Sequence, residues 1–340
     1  MRKVLPFLFI PFLLLVAAKS DKPAYRLYTS SGKTATWDDL LKEAEKADII
    51  FFGELHDNPV CHWLELQLTK DLYQAKKQDL ILGMEMFERD NQLLVSEYLS
   101  KMIRKKDFEA EAKLWKNYAT DYAPIVDYAR DKGIKLIATD IPRRYAAIVN
   151  LKGFEGLDSI NALERGMIAP LPVKFYPQLQ CYVKMKEMMG EDPSGAHSSD
   201  NIIKAQAIKD ATMAHFILKN GKEGMCFLHF NGSFHSDIHQ GIVWYVNDYN
   251  KRNENDLKIL TISSVEQSSL DDLDSKNQGL ADFIICIPDD MTKTEVPTMG
   301  MGPMPAMPGA AKEQPAAKAD TASKPSGVIE GGADDDDDDE

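Results

Sequence analysis

Four short stretches place residues able to ligate a metal or move a proton directly behind apolar runs. They are Gly53-Glu54-Leu55-His56-Asp57, Gly83-Met84-Glu85-Met86-Phe87, Thr139-Asp140-Ile141-Pro142-Arg143-Arg144 and Asn231-Gly232-Ser233-Phe234-His235. Glu54 and His56 are two apart, and in a tight turn both side chains can reach one point. A glycine precedes each of His56 and His235 by three residues, giving two G-x-x-H turns. Glycine lets the backbone turn sharply and lets a ligand come close. Two carboxylates and two imidazoles, those of Glu54, Glu85, His56 and His235, suit a divalent ion such as zinc, manganese or iron. The same four suit a metal-free hydrolytic site, with histidine as general base and glutamate as its orienter. A plainer reading has each histidine cap a turn or meet a backbone carbonyl. If the stretches converge, Glu54, Glu85 and Asp140 crowd together, and at least one should titrate above the usual carboxylate value of roughly 4. Arg143 or Arg144 could offset part of that charge.

The elements that must position these residues are six short apolar runs: Asp48-IIFFG, Leu80-ILGME, Lys135-LIAT, Met225-CFLHF, Lys258-ILTIS and Phe283-IICI. Rich in Ile, Leu, Val and Phe and bounded by polar or turn residues, they read as strands buried on both faces. Stretches with helical spacing separate most of them, including His62-WLELQLTKDLYQAKK and Asp121-YAPIVDYARDKG, which stops at Gly133. The expected fold is therefore α/β, a central and mainly parallel sheet flanked by helices. In such sheets ligands bind in the crevice beyond the carboxyl ends of the strands, where all four polar stretches fall. The segment from about 144 to 221 lacks strand character and reads as a helical insertion over that edge. Its Phe175, Tyr176, Tyr182, Met185, Met188 and Met189 could line an apolar pocket, although such a stripe is more often ordinary core. Among the other histidines, His229 reads as a core residue and His239 as a reserve ligand sharing a helix face with His235. His62 and His215 read as surface or packing residues, and His197 lies in a polar loop.

The two ends are set apart by composition. Arg2 and Lys3 precede an apolar run from Val4 to Val16 and small residues at Ala17, Ala18 and Ser20, a secretory signal pattern over residues 1–20. The run is shorter than the roughly 20 residues a membrane span needs, and no cysteine follows it to carry a lipid. The domain proper is expected over 21–291. From 292 to 340 a Met/Pro/Ala-rich stretch closing in Asp334–Asp339 is too poor in apolar bulk to fold. That acidic run supplies about half of the net charge of −13. The four cysteines form no C-x-x-C pair. Glycine-rich nucleotide loops and a G-x-S-x-G elbow are absent, and no basic, aromatic-interleaved face suggests nucleic acid.

FFGELHDNPVCHWLE, LILGMEMFERDNQ, APIVDYARDKGIKLIATDIPRR, QAIKDATMA and FNGSFHSDIHQGI, in that order, resemble the ChaN-like haem-binding proteins of the Tiki/TraB and erythromycin-esterase-like superfamily. The resemblance runs from about Ile49 to Ile242. It implies an α/β fold with a smaller helical part, export to the periplasm, the outer membrane or beyond the cell, and haem binding in iron uptake. It further implies a homodimer that holds haem through a tyrosine, an envelope haem receptor as a partner, and a functional role for the paired G-x-x-H turns and Glu85. Tyr118, Tyr122, Tyr176 and Tyr182 are the candidate haem ligands, with Arg143 beside them. In other branches of the superfamily the matching positions serve metal-dependent proteolysis or ester hydrolysis, so a hydrolase using Glu54, His56, Glu85 and His235 is the alternative.

Overall fold

The computed structural model describes residues 21–189, 199–252 and 256–294. The expected signal peptide, the loop carrying His197 and the tail beyond 294 lie outside the described residues. One sheet of eight strands runs through the domain: β1 (Arg26–Thr29), β2 (Thr34–Ala35), β3 (Ile49–Glu54), β4 (Leu80–Glu88), β5 (Lys135–Asp140), β6 (Cys226–Gly232), β7 (Ile259–Gln267) and β8 (Phe283–Pro288). Their order across the sheet is β2-β1-β8-β7-β3-β6-β4-β5. β8 through β5 are parallel, and β1 pairs antiparallel with both β2 and β8. The six apolar runs are thus strands β3 to β8. β1 and β2 are edge additions too short to announce themselves.

Alternation along β3 shows why both faces need cover. Ile50 and Phe52 belong to one buried cluster, Ile49 and Phe51 to another. On the first face lie α1 (Trp37–Ala44), α2 (Pro59–Lys76), α3 (Gln92–Leu99), α4 (Lys105–Glu111) and α5 (Ala123–Lys132). α6 (Arg143–Lys152) packs on the second face. α7 (Ala162–Arg165) and α8 (Gln180–Met189) follow it, then α9 (Ser199–Asn220) and, after β6, α10 (Ile242–Arg252). Residues Ala205 to Ile217 of α9 pack against Ile49, Phe51 and Phe227, so this helix covers the second face of the sheet. The helical segment therefore reaches beyond the carboxyl edge, which α9 meets through Gln206 and Asp210 at His235. Tyr182 and Met185 pack with Cys181, Ile203 and Ala207 as a small core of their own. All four cysteines are free thiols and buried.

The chain leaves β3 toward α2 on one face and leaves β6 toward α10 on the other. β3 and β6 are neighbours, with Glu54 paired to Gly232 at their carboxyl ends. That reversal of winding opens a crevice where the sheet's own geometry favours a ligand.

Candidate functional site

Two buried networks meet in this crevice. The first grows from the end of β3 and the start of α2. Asn58 caps α2 by accepting from the amides of Val60 and Cys61, and Pro59 fills the first helical position. This fixes the helix two residues past His56 and turns His62 and Glu65, one turn apart, back toward the strand end. Glu54 Oε1 accepts from the Tyr122 hydroxyl at 2.7 Å and lies 2.7 Å from His56 Nδ1. Its other oxygen faces His62 Nδ1 at 3.7 Å, and His62 Nδ1 lies 3.2 Å from Glu65 Oε2. On its far side, His62 Nε2 sits 3.3 Å from the carbonyl of His56 and 3.4 Å from Asp121 Oδ2. Asp121 and Tyr122 come from a π-helical turn, Tyr118–Tyr122, and Asn117 donates to both the His56 carbonyl and Asp121.

Burial alone would raise the Glu54 carboxyl, but His62 and His56 outweigh it and hold the group below its usual value. Glu65 goes the other way: burial and then the charge of Glu54 push it well above the carboxylate range. Apart from the proton the two carboxyls share, Glu54 Oε2 and Glu65 Oε1 have no donor partner. The His56 side chain is 39% exposed, which makes it the group of this network that meets solvent. Burial lowers its pKa and the bond to Glu54 more than reverses that, leaving it raised. Residues 293 and 294 close over the same turn. Thr294 donates its amide to the Asp57 carbonyl at 2.7 Å, and Lys293 pairs with Asp57 and Glu266.

The second network joins β4, β6 and α9. Glu85 Oε2 accepts the amide of Gly232 at 2.8 Å, and its other oxygen lies 3.3 Å from His235 Nε2. His235 Nδ1 meets Asp210 Oδ1 at 2.5 Å, and Asp210 accepts from the Tyr182 hydroxyl at 2.7 Å. Against the penalty of burial, Glu85 and Asp210 raise His235 to about 10, so it is an imidazolium at neutral pH. Burial likewise opposes but does not prevent Glu85 from being held far below its usual value by His235.

Gly232 joins the networks. A Cβ there would stand 2.8 Å from His56 Cε1 and Nε2 and 3.7 Å from Glu85 Oε2. Glycine is needed here for room, since its φ of −55° is ordinary. The structure thus brings Glu54, His56, Glu85 and His235 to one crevice. Asp140 stands beside them, its carboxyl pushed up to about 7 by burial, with Lys209 opposing and Glu85 adding. Arg144 turns outward to Asp90 at 2.5 Å and does not offset the crevice charge, and Arg143 is exposed at the start of α6.

The four candidate tyrosines divide. Tyr118, Tyr122 and Tyr182 are buried, the last two donating to Glu54 and Asp210 and all three raised by burial. Tyr176 is half-buried against Trp244, ring centroids 4.8 Å apart. A neighbouring pocket of about 160 Å³ is lined by Phe175, Pro177, Tyr182, Val183, Lys186 and Ile203 among others.

Sequence reasoning missed His62, Glu65, Asp121, Asp210 and Gln206, which sits 3.0 Å from the His235 ring. The signal in α2 was a His and a Glu three apart on the face that also carries Cys61, Leu64 and Leu68. His239 is not a ligand beside His235. Ile238 and His239 take φ of 53° and 56°, which breaks any shared helix face. The His239 ring instead meets Thr261 at 3.1 Å and Asp282 at 3.3 Å. His229 is a satisfied core histidine, held by Thr139 and Asn231 and lowered to about 4 by burial.

An α/β sheet with paired G-x-x-H turns and a glutamate at one switch point defines the class, and the chain belongs to the haem-binding uptake family of the Tiki superfamily, ChaN, which it matches over residues 40–246. Its fold is that of ChaN of Campylobacter jejuni, a structure described as showing cofacial heme binding. The two share 16% identity, with 77% of this chain and 96% of that one covered at a TM-score of 0.58. An erythromycin esterase in its open conformation aligns over 77% of this chain and 97% of its own, with 11% identity and a TM-score of 0.42, too weak a likeness to argue from. The curated protein RETICULATA-RELATED 5, chloroplastic, of Arabidopsis thaliana is 28% identical over 131 residues, and the match spans 17% of its length.

Proposed function

We propose that this is an exported haem-binding protein of an iron or haem uptake system. The observation that carries the reading is the family match across residues 40–246, joined to a shared fold that covers 96% of the Campylobacter ChaN. The donor chemistry fits a porphyrin on the α8 side. Tyr176 offers a phenol beside Trp244, and Phe175, Pro177 and Val183 an apolar wall, while Lys186 at the same pocket is paired with Asp200 at 2.7 Å. A 160 Å³ pocket is far smaller than a porphyrin, so the ring would lie on this surface rather than inside it. A second protomer or an envelope receptor would then cover the other side. Bound iron would supply the Lewis acid, and the protein would contribute the phenol and the apolar wall. The expected place of action is the periplasm, the outer membrane or the extracellular space. Haemin titration of the purified protein is expected to give a saturable Soret shift that Tyr176→Phe diminishes. A folded protein with no shift at micromolar haemin would refute the reading.

A hydrolase is the second reading, and one observation favours it. His56 is a solvent-reached imidazole whose Nδ1 is fixed by a buried carboxylate, the arrangement of a general base. It predicts ester or peptide hydrolysis that His56→Ala abolishes while the haemin titration stays unchanged.

A further inference from the structure

We propose that Glu54, His62 and Glu65 form a buried site for one divalent transition-metal ion, of the zinc or manganese class, separate from the haem surface. One ligand atom from each of the three lies within 4.8 Å of the others, and all three residues are buried. This set differs from the wider one of Glu54, His56, Glu85 and His235, because His56 Nδ1 is spent on Glu54 and His235 is enclosed between two carboxylates.

Three features point to an ion rather than to packing. Glu54 Oε2 and Glu65 Oε1 are buried and, apart from the proton the two carboxyls share, have no donor, in a protein interior where such oxygens are normally satisfied by neighbouring groups. Two carboxyl groups and one imidazole form an oxygen–nitrogen donor set that suits zinc, manganese or ferrous iron, and a divalent ion bound there would release the proton that Glu65 holds. The back of the histidine is also prepared. With Nδ1 toward the carboxylates, Nε2 faces the His56 carbonyl at 3.3 Å and Asp121 at 3.4 Å. Metal-bound histidines are typically held by a carbonyl or carboxylate at the second ring nitrogen, which fixes the tautomer. Asn117 in turn holds Asp121 at 2.8 Å. Access runs past His56, whose ring is the exposed member of the network.

An ion here would act on the crevice through Glu54, which also carries His56 and Tyr122. It would polarise a shared carboxylate, making this carboxylate a weaker acceptor for His56.

The test uses the whole protein, so that the acidic run Asp334–Asp339 is present in every sample and its zinc uptake cancels. Equilibrium dialysis against zinc, read by elemental analysis, is expected to show one more equivalent in the native chain than in Glu65→Gln. Loss of a ligand should weaken that equivalent by more than about 100-fold, beyond the 10- to 100-fold that an outer-shell partner such as Asp121 contributes. His56→Ala and His235→Ala are expected to keep it, which separates this set from the wider one. Should Glu65→Gln fail to fold, cobalt added to the native protein supplies the readout. A visible band from a nitrogen–oxygen site, displaced by zinc and unaffected by haemin, supports the proposal. Equal zinc in native and Glu65→Gln chains, loss of the ion in His235→Ala, or no cobalt band would overturn it.

Discussion

The two halves of the crevice use the same residue types to opposite ends. Around His235 the polar atoms are answered: the imidazole lies between Glu85 and Asp210, each with a further donor from Gly232 or Tyr182. Around His62 the charges are left over. Glu54 and Glu65 face each other, two of their oxygens have no donor beyond the proton the pair shares, and His56 reaches solvent. A closed network of buried charges fixes geometry, whereas one with spare acceptors and an open edge can receive something. The contrast sets the His235 side as the part that holds the crevice in shape and leaves the His56 side as the open one.

Removing the imidazolium tests that assignment most severely. His235→Ala would leave Glu85 and Asp210 buried and unpaired, a loss of about 3–5 kcal/mol by denaturant unfolding. His56→Ala, at the open edge, should cost far less. Equal losses would end the contrast. The pH dependence follows from the same group. Its folded pKa, about 10, lies above the unfolded value of 6.5, so its contribution is complete below about pH 6.5 and fades as pH rises toward 10. Melting temperatures of the native protein should fall across that window, and those of His235→Gln should not.

Gly232→Ala sharpens the comparison at the point where the halves touch. Its methyl group would press on the His56 ring, and overpacking of this kind costs about 1–3 kcal/mol. Adding His56→Ala should recover most of that loss, because the two groups compete for one space. A double variant no more stable than the single one would place the strain elsewhere. A last pair of variants distinguishes two buried phenols. Tyr122→Phe removes a hydrogen bond to a charged group, worth about 1.5–3 kcal/mol. The Tyr118 hydroxyl has no partner, so Tyr118→Phe should leave the unfolding midpoint unchanged or slightly higher.

Much of this was legible in the chain because strands buried on both faces are written as continuous apolar runs. β3 to β8 and the polar residues at their ends could be read directly, and with them Glu54, His56, Glu85 and His235. The edge strands β1 and β2, four residues and two, carry no such run. The partners of the four residues were hidden for a different reason. His62 and Glu65 lie among apolar residues of an amphipathic helix, where a polar side chain looks like a surface position whose face has been misjudged. Asp210 lies between Ile208 and Ala211 on a helix that meets His235 only once the sheet is assembled. Residues that depend on a partner 25 positions away leave no local period to detect. His239 misled because the spacing of four has meaning only on a helix, and the backbone at Ile238 is not helical.

The fastening of Lys293 and Thr294 to Asp57 has a practical consequence. Asp57 adjoins His56, so the backbone beyond residue 294 sets out from the rim of the crevice. An affinity tag or reporter joined directly after Thr294, in place of residues 295–340, would be tethered there at an effective concentration in the millimolar range when its linker is short and flexible. A polyhistidine tag at that position would therefore compete for metal beside the very residues being assayed.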